Sequence, residues 1–370
     1  MAARCRAVES LGLKVMRDFW CEKRVLVTGH TGFKGSWLSA WLLDMGADVL
    51  GIGLEPDTDP SLFMQLELAD RLDHRICDIR DAQKVAKIVD SFQPDIVLHL
   101  AAQPLVIRSY DYPLETWSTN VIGTANVLEA IRTVTGQCAA VMVTTDKVYE
   151  NLEWEYGYRE NDRLGGHDPY SASKAAAELV SASWRKSFFS KQGNIRVATA
   201  RAGNVIGGGD WADNRIVPDI ARALMTGEKV VVRNPAATRP WQHVLDPLFG
   251  YLKLAQFLFE GPTEGFADSY NFGPNPEAQR PVADLVEASL KVWPGEAEFG
   301  IPNPHAVHEA GLLSLNIERS AHHLDWRPIW GFEEAVTATM EWYRSAGETD
   351  NGAIQKLTSA QIRQFENAIP

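Results

Sequence analysis

"KRVLVTGHTGFKG", Lys23–Gly35, is the stretch whose reading decides the fold. A short apolar run ends in three glycines, Gly29, Gly32 and Gly35, and the helical pattern "GSWLSAWLLDMG" follows at once. Bare backbone at such a strand–turn–helix junction lets a pyrophosphate approach the N–H groups that open the helix. The plain alternative is a tight turn with no ligand. The strand before and the helix after it favour a dinucleotide.

Working outward, the same alternation repeats. "DVLGIG", "HRICDI", "PDIVLHLAA", "AAVMVTT" and "IRVATARAG" read as strands. "AQKVAKIVDSF", "TWSTNVIGTANVLEAIR" and "YSASKAAAELVSASWRKSFF" read as the helices between them. Short apolar strands separated by helices predict a parallel sheet covered on both faces, a doubly wound α/β fold of Rossmann type. Residues 1–20 read as an N-terminal extension, ordered only in part, and residues 21–202 as the dinucleotide-binding domain. Residues 203–370, richer in Pro and Gly, read as a smaller C-terminal α/β substrate domain that returns some elements to the first. "PVADLVEASLKVW" and "FEEAVTATMEWYRS" are its expected amphipathic helices.

The bulk numbers narrow the function. A formal net charge of -12 argues against a nucleic-acid partner, which needs clustered Lys and Arg. No apolar run approaches the length of a membrane span, and the first twenty residues lack a signal-peptide core. Cys5, Cys21, Cys77 and Cys138 are scattered and form no CxxC, as expected of reduced thiols in a cytoplasmic protein. Among the nine histidines, His305 and His308 lie three apart and His322 and His323 are adjacent, yet no carboxylate or cysteine completes a ligand set. No metal is expected.

Three further positions carry chemistry. At the end of the second strand an acid usually holds the ribose of NAD; here "GIGLEP" offers Gly53, with Glu55 slightly later. No Arg waits for a 2′-phosphate, so NAD is favoured and NADP stays open. Asp78 in "CDIRD" is placed to meet an adenine amino group, or else simply starts a loop. Tyr170 and Lys174, four apart, share one helix face, where an ammonium beside a phenol lowers the phenol's pKa and makes a usable base. Thr145, at the end of the strand "AAVMVTT", is in reach of the same substrate hydroxyl.

Together GxxGxxG, "HLAAQ" (His99–Gln103), Thr145 and YxxxK resemble the extended short-chain dehydrogenases that act on nucleotide sugars. "TTDKVYEN", "DPYSASKAAAE", "RAGNVIGGGDW" and "RPWQHVL" resemble the CDP-glucose 4,6-dehydratase group within them. That resemblance implies bound NAD, a nucleotide sugar such as CDP-glucose as substrate, and a homodimer joined through helices of the first domain. It implies cofactor contacts from Gly29, Thr31, Gly32, Phe33, Lys34 and Gly35, then from Asp78 and Ile79, from Leu100, Ala101 and Ala102, and from Tyr170 and Lys174. Thr145, Asp146, Lys147, Tyr170 and Lys174 would be catalytic. Gln103, Asn204, Arg215, Arg239 and His243 would hold the substrate. Trp211 and Trp241 are further pocket candidates, although most of the twelve tryptophans should be core residues.

The strand-end pair is the unusual feature. In the related dTDP-glucose dehydratases it is Asp–Glu, and the glutamate takes the C5 proton. Here Lys147 stands in its place. Either a neutral Lys147 takes that proton, or a charged one steadies the enolate, and in either case Asp146 donates to the departing C6 hydroxyl. A C4-epimerase would need no such pair, and a non-enzymatic NAD(H)-sensing scaffold would not need an intact YxxxK.

Overall fold

The computed structural model describes residues 11–232, 234–261, 268–300, 312–347 and 351–370. Its centre is a seven-stranded parallel sheet: β1 (Arg24–Thr28), β2 (Asp48–Gly53), β3 (Asp73–Ile76), β4 (Ile96–His99), β5 (Cys138–Val143), β6 (Ile195–Ala202) and β7 (Ser269–Phe272). The spatial order is β7-β6-β5-β4-β1-β2-β3. Successive strand residues feed opposite cores, as the two-residue period of a strand requires. Val25, Val27, Leu98 and Val141 enter one cluster. Leu26, Val97, Ala140 and Met142 enter the other. That is why the strands read as unbroken apolar runs.

Helices close both faces. One face takes α2 (Phe33–Asp44), whose Trp37, Leu38, Trp41 and Leu42 are all buried. The other takes the amphipathic α3 (Ala82–Phe92), capped by Asp81 and burying Val85, Ile88 and Val89. Beside α3 lies α4 (Thr124–Ile131). Before α2 comes α1 (Leu11–Trp20), with Met16 and Trp20 buried in the core, so the expected extension is helical from Leu11 onward. Expectations for residues 1–10, Cys5 among them, and for His305 and His308 fall outside the described residues.

The run 116–132 was expected to be one plain helix. The structure instead has Pro113–Trp117, a π-turn Ser118–Gly123, and then α4. Two contacts account for the wider turn. Gly123 lies so close to Ile79 that a Cβ there would fall 2.5 Å from its Cδ1. Asn120 accepts from the Gln103 backbone N–H (2.8 Å) and donates to Ser173 Oγ (2.9 Å). Ser173 belongs to α5 (Pro169–Trp184), which starts at a capping Asp168 followed by proline.

Past β6 come α6 (Ile216–Thr226), α7 (Leu245–Glu260), β7, α8 (Val282–Val292), α9 (Phe332–Ala346) and α10 (Asn351–Asn367). Three short two-stranded ribbons sit among them in the described residues. β7 pairs with β6, Ser269 opposite Thr199, so the central sheet is completed from the C-terminal part. Residue Glu366 of α10 accepts from Trp41 Nε1 (2.9 Å) and from Arg17, tying both ends of the described chain to α2. Among the described residues no helix is long and apolar enough to cross a membrane. Nor does any group of three His, Cys, Asp or Glu there sit where it could hold a metal ion.

Candidate active site

The strand order reverses between β1 and β4, where Thr28 lies opposite Ile52 on one side and His99 on the other. Doubly wound sheets bind ligands at such a point. Gly29 has φ +75, and a Cβ on it would stand 2.7 Å from Ala101 N. A Cβ on Gly35 would meet Gly29 O at 2.1 Å. Both positions therefore require glycine. Gly32 caps α2 without any side-chain hydrogen bond, so the opening N–H groups of that helix meet no side-chain cap. This bare cradle fits a diphosphate.

Around it, Thr31 Oγ1 donates to Leu54 O (2.9 Å) and closes the turn over the end of β2. Leu100 N and Ala101 N are both fixed by Thr28, through its carbonyl and its hydroxyl (3.0 and 3.1 Å). Asp78 is held by Arg80 through several hydrogen bonds, the shortest 2.6 Å, which pull its pKa down. Its negative charge is thus already paired within the loop. His30, which the sequence reading passed over, is buried against Gly51 and bonded ring to ring with His74 at 2.7 Å.

The catalytic candidates converge at the end of β5. Thr145 Oγ1 donates to Asp146 Oδ1 (2.9 Å), and Thr145 lies where it pulls the pKa of the Tyr170 phenol down. Lys174 Nζ donates to Val143 O (3.1 Å). Gly203 lies behind Asp146, where a Cβ would come within 2.8 Å of Oδ2. Asn204 follows it half-buried, and Lys147 is half-buried beside Asp146. Arg215 pairs with Asp210 (2.8 Å) and its charge acts on Tyr170.

Burial dominates the electrostatics. It raises the Asp146 carboxyl above its ordinary value against the pull of Lys147, Thr145 and Lys34. It pushes the Tyr170 phenol up to about 12, with Thr145 and Arg215 pulling the other way. The lowered tyrosine expected from Lys174 is therefore not present in the protein alone. Desolvation outweighs the nearby cations. Lys174 itself is brought down to about 8, by burial and by the charge of Lys34.

Lys34, expected among the cofactor contacts, extends from the first turn of α2 toward the end of β5. Its ammonium lies 5.9 Å over the Tyr251 ring and feels Arg215, Asp146 and Asp210, so it faces the catalytic cluster. Gln103 is spent within its own loop. Its amide donates to Thr116 Oγ1 (2.8 Å) and accepts from Leu105 N (2.6 Å). Arg239 donates to Thr238 O (2.9 Å) in a ribbon strand. His243 is the most enclosed of the expected substrate contacts. Fully buried against Trp37 and Trp330, it accepts from Leu245 N (3.3 Å), and desolvation brings its pKa to about 3. Trp241 and Trp211 are buried, donating to Arg280 O (3.0 Å) and Gln65 Oε1 (3.1 Å).

Two residues at the site had gone unread. Glu178 is buried one turn beyond Lys174 and accepts from Thr144 and Thr199 while pairing with Arg201 at 2.8 Å. Its spacing from Lys174 was the available signal. Tyr251, a fully buried phenol near Tyr170 and Asp146, gave none, since it sits in an apolar helix.

Residues 26–257, well over half the chain, match the GDP-mannose 4,6 dehydratase family. The chain belongs to this family. A CDP-glucose 4,6-dehydratase of Salmonella typhimurium is 47% identical over 335 residues, covering 89% of this chain and 92% of that one. DesIV of Streptomyces venezuelae, a dTDP-glucose 4,6-dehydratase solved with NAD and TYD bound, is 25% identical with a TM-score of 0.73, covering 90% of this chain and 99% of its own. A UDP-glucose 4-epimerase of Thermotoga maritima, solved with UDP-glucose, reaches a TM-score of 0.74 at 20% identity over 88% of this chain and 100% of its own, which shows the fold alone. The part matched to the GDP-mannose 4,6 dehydratase family runs from β1 into α7, and so contains the turn, Thr145–Lys147, Tyr170 and Lys174.

Proposed function

We propose that this chain is an NAD-dependent CDP-glucose 4,6-dehydratase, converting CDP-D-glucose to CDP-4-keto-6-deoxy-D-glucose. The observation that carries the reading is a buried carboxyl, Asp146, bonded to Thr145 at the end of β5 beside a buried phenol, Tyr170. A site that only oxidises and reduces C4 needs the phenol; one that also expels the C6 hydroxyl needs the acid. The 47% identical CDP-glucose 4,6-dehydratase supports the choice of sugar nucleotide, and the NAD in DesIV supports the choice of cofactor.

In this reading Gly29, Gly32, Gly35 and the opening turn of α2 hold the diphosphate of NAD, with Ala101 and Lys174 nearer the reacting end. NAD held there would supply a hydride acceptor for the C4 hydrogen and, once reduced, the hydride donor for C6. Tyr170 takes the proton of the 4-hydroxyl. The ketone formed at C4 acidifies C5, and Lys147 takes that proton or steadies the enolate. Asp146, whose pKa burial raises, gives its proton to the C6 oxygen, which leaves as water. Arg215 and Arg239 supply guanidinium groups suited to phosphate oxygens.

A second copy of the chain is the expected partner. The turns 106–123 pack along α5, and Ile107, Leu114, Trp117, Ile122 and Leu179 on these elements are exposed apolar side chains. Cys21, Cys77 and Cys138 are free, in keeping with a cytoplasmic enzyme.

The test is incubation with CDP-, dTDP-, UDP- and GDP-glucose, scoring the 4-keto-6-deoxy sugar. Product from CDP-glucose without lasting reduced cofactor supports the assignment. A C4 epimer, or stoichiometric reduced cofactor, would overturn it.

A further inference from the structure

Asp146 and Lys147, the two groups assigned above to water loss, sit on a single 3₁₀ turn, Asp146–Val148, just past β5. The hydrogen bonds inside that turn are long. Val148 N–H reaches Thr145 O at 3.4 Å, Tyr149 N–H reaches Asp146 O at 3.5 Å, and Lys147 N–H reaches Thr145 Oγ1 at 3.4 Å. Contacts at such distances are weak, and a one-turn 3₁₀ segment has poor bond geometry to begin with. The turn does not fix its own shape.

Its two ends are held from outside, by one buried ion pair. Glu178 on α5 and Arg201 on β6 meet at 2.8 Å. Before the turn, Thr144 Oγ1 donates to Glu178 Oε1 at 2.5 Å. After it, Arg201 Nη1 donates to Tyr149 Oη at 2.8 Å, and the guanidinium also lies 5.0 Å over the Tyr149 ring. Tyr149 Oη in turn donates to Asn271 Oδ1 on β7 (2.8 Å), and Thr199 on β6 donates to the other Glu178 oxygen (2.7 Å). All six residues are buried. Short bonds to charged groups, away from water, are the strong ones. Thr144 and Tyr149 bracket Thr145, Asp146 and Lys147, so both attachments bear on the residues between them.

We propose that the Glu178–Arg201 pair is a positioning clamp that holds Asp146 and Lys147 in place against Tyr170 and Lys174. Glu178 shares α5 with Tyr170 and Lys174, so the clamp fastens the groups of water loss to the element that carries the groups of C4 oxidation. The two sets depend on it unequally. Tyr170 and Lys174 are placed by the helix itself, while Asp146 and Lys147 ride on the turn that the clamp grips. A misplacement of about 1 Å costs on the order of 10²-fold in rate. Loosening the clamp therefore slows water loss and leaves C4 oxidation nearly untouched. The proposal rests on the dehydratase reading and adds to it two residues that take no part in the proton or hydride steps.

The test is a single turnover with holoenzyme in excess over CDP-glucose, followed by reduced-cofactor absorbance and by quenching for the sugars formed. Tyr149→Phe deletes only the hydroxyl that Arg201 holds, and Thr144→Val exchanges for a methyl the one that Glu178 holds. In both, absorbance should rise within about 2-fold of the wild-type rate while water loss slows about 10-fold or more. The sugar quenched at the absorbance maximum should be the 4-ketone that still carries its C6 hydroxyl. Thr144→Ser, which keeps the hydroxyl, should match wild type. Oxidation and water loss slowed alike, or neither slowed, would overturn the clamp, as would a Thr144→Ser enzyme as slow as Thr144→Val. If the wild type makes no 4-keto-6-deoxy sugar, the dehydratase reading fails and the clamp has no reaction to serve. If it does and the variants do not divide the two steps, the clamp alone fails.

Discussion

Glu178→Ala removes a charge from beneath the catalytic helix, and its cost can be worked from the contacts. Glu178 and Arg201 are each 4% exposed at the side chain and meet at 2.8 Å. Burial opposes ionisation of Glu178, yet the paired guanidinium and the two threonine hydroxyls hold its pKa below the ordinary value. Arg201 also donates to Tyr149 Oη and Glu160 O. Deleting the carboxylate leaves that guanidinium buried without its hydrogen-bonded counter-charge, which costs about 3–5 kcal/mol. That is a large share of the ~5–15 kcal/mol by which a typical domain is stable. The assay is urea unfolding followed by tryptophan fluorescence, with Glu178→Gln as a milder comparison because it keeps an acceptor for Thr144 and Thr199. The pH dependence carries a sign. A carboxylate with a depressed folded pKa contributes stability above its unfolded value, near 4.5, and that contribution fades as pH falls through the folded value. Wild type should therefore lose more stability between neutral pH and acid than Glu178→Gln does. A Glu178→Ala loss under about 1 kcal/mol would refute the claim that this pair is a buried, uncompensated charge when broken.

Tyr170→Phe should abolish turnover while the fold and cofactor binding persist, checked by circular dichroism and by titration with NAD; near-normal product formation would remove Tyr170 from the mechanism. Lys147→Met should still oxidise C4 but stall before water loss, so reduced cofactor absorbance rises and persists in a single turnover, with exchange of the C5 hydrogen suppressed. Elimination at the normal rate would show that Lys147 has no part in it. Leu114→Asp, at a side chain that is 84% exposed in the monomer, should shift sedimentation toward the monomer with little change in unfolding free energy; an unchanged sedimentation profile places the dimer face elsewhere.

The parts of this molecule that sequence makes legible are those governed by neighbours along the chain. The strand β1, the glycine turn and α2 follow from Lys23–Gly35 because close approach of backbone at Gly29 and Gly35 excludes any side chain. Tyr170 and Lys174 fall on one face by helical spacing alone. What escaped depends on contacts distant in sequence. Nothing local says that Arg201 finds Glu178, that Gly123 must yield to Ile79, or that His243 is walled in by Trp37 and Trp330. Nor does anything local say that the Lys34 side chain runs toward Asp146 and Arg215.

The return of β7 to the central sheet has a consequence for the newborn chain. β6 ends at Ala202 and its outer neighbour begins at Ser269. Residues 203–268 must be made in between, which at about 5–20 residues per second takes roughly 3 to 13 seconds. Throughout that interval β6 presents an apolar edge of unpaired N–H and C=O groups, the kind of surface that pairs with a neighbouring chain. Synthesis on crowded polysomes therefore exposes this protein most at β6, and slowing elongation between codons 203 and 268 should lower its soluble yield more than slowing it elsewhere.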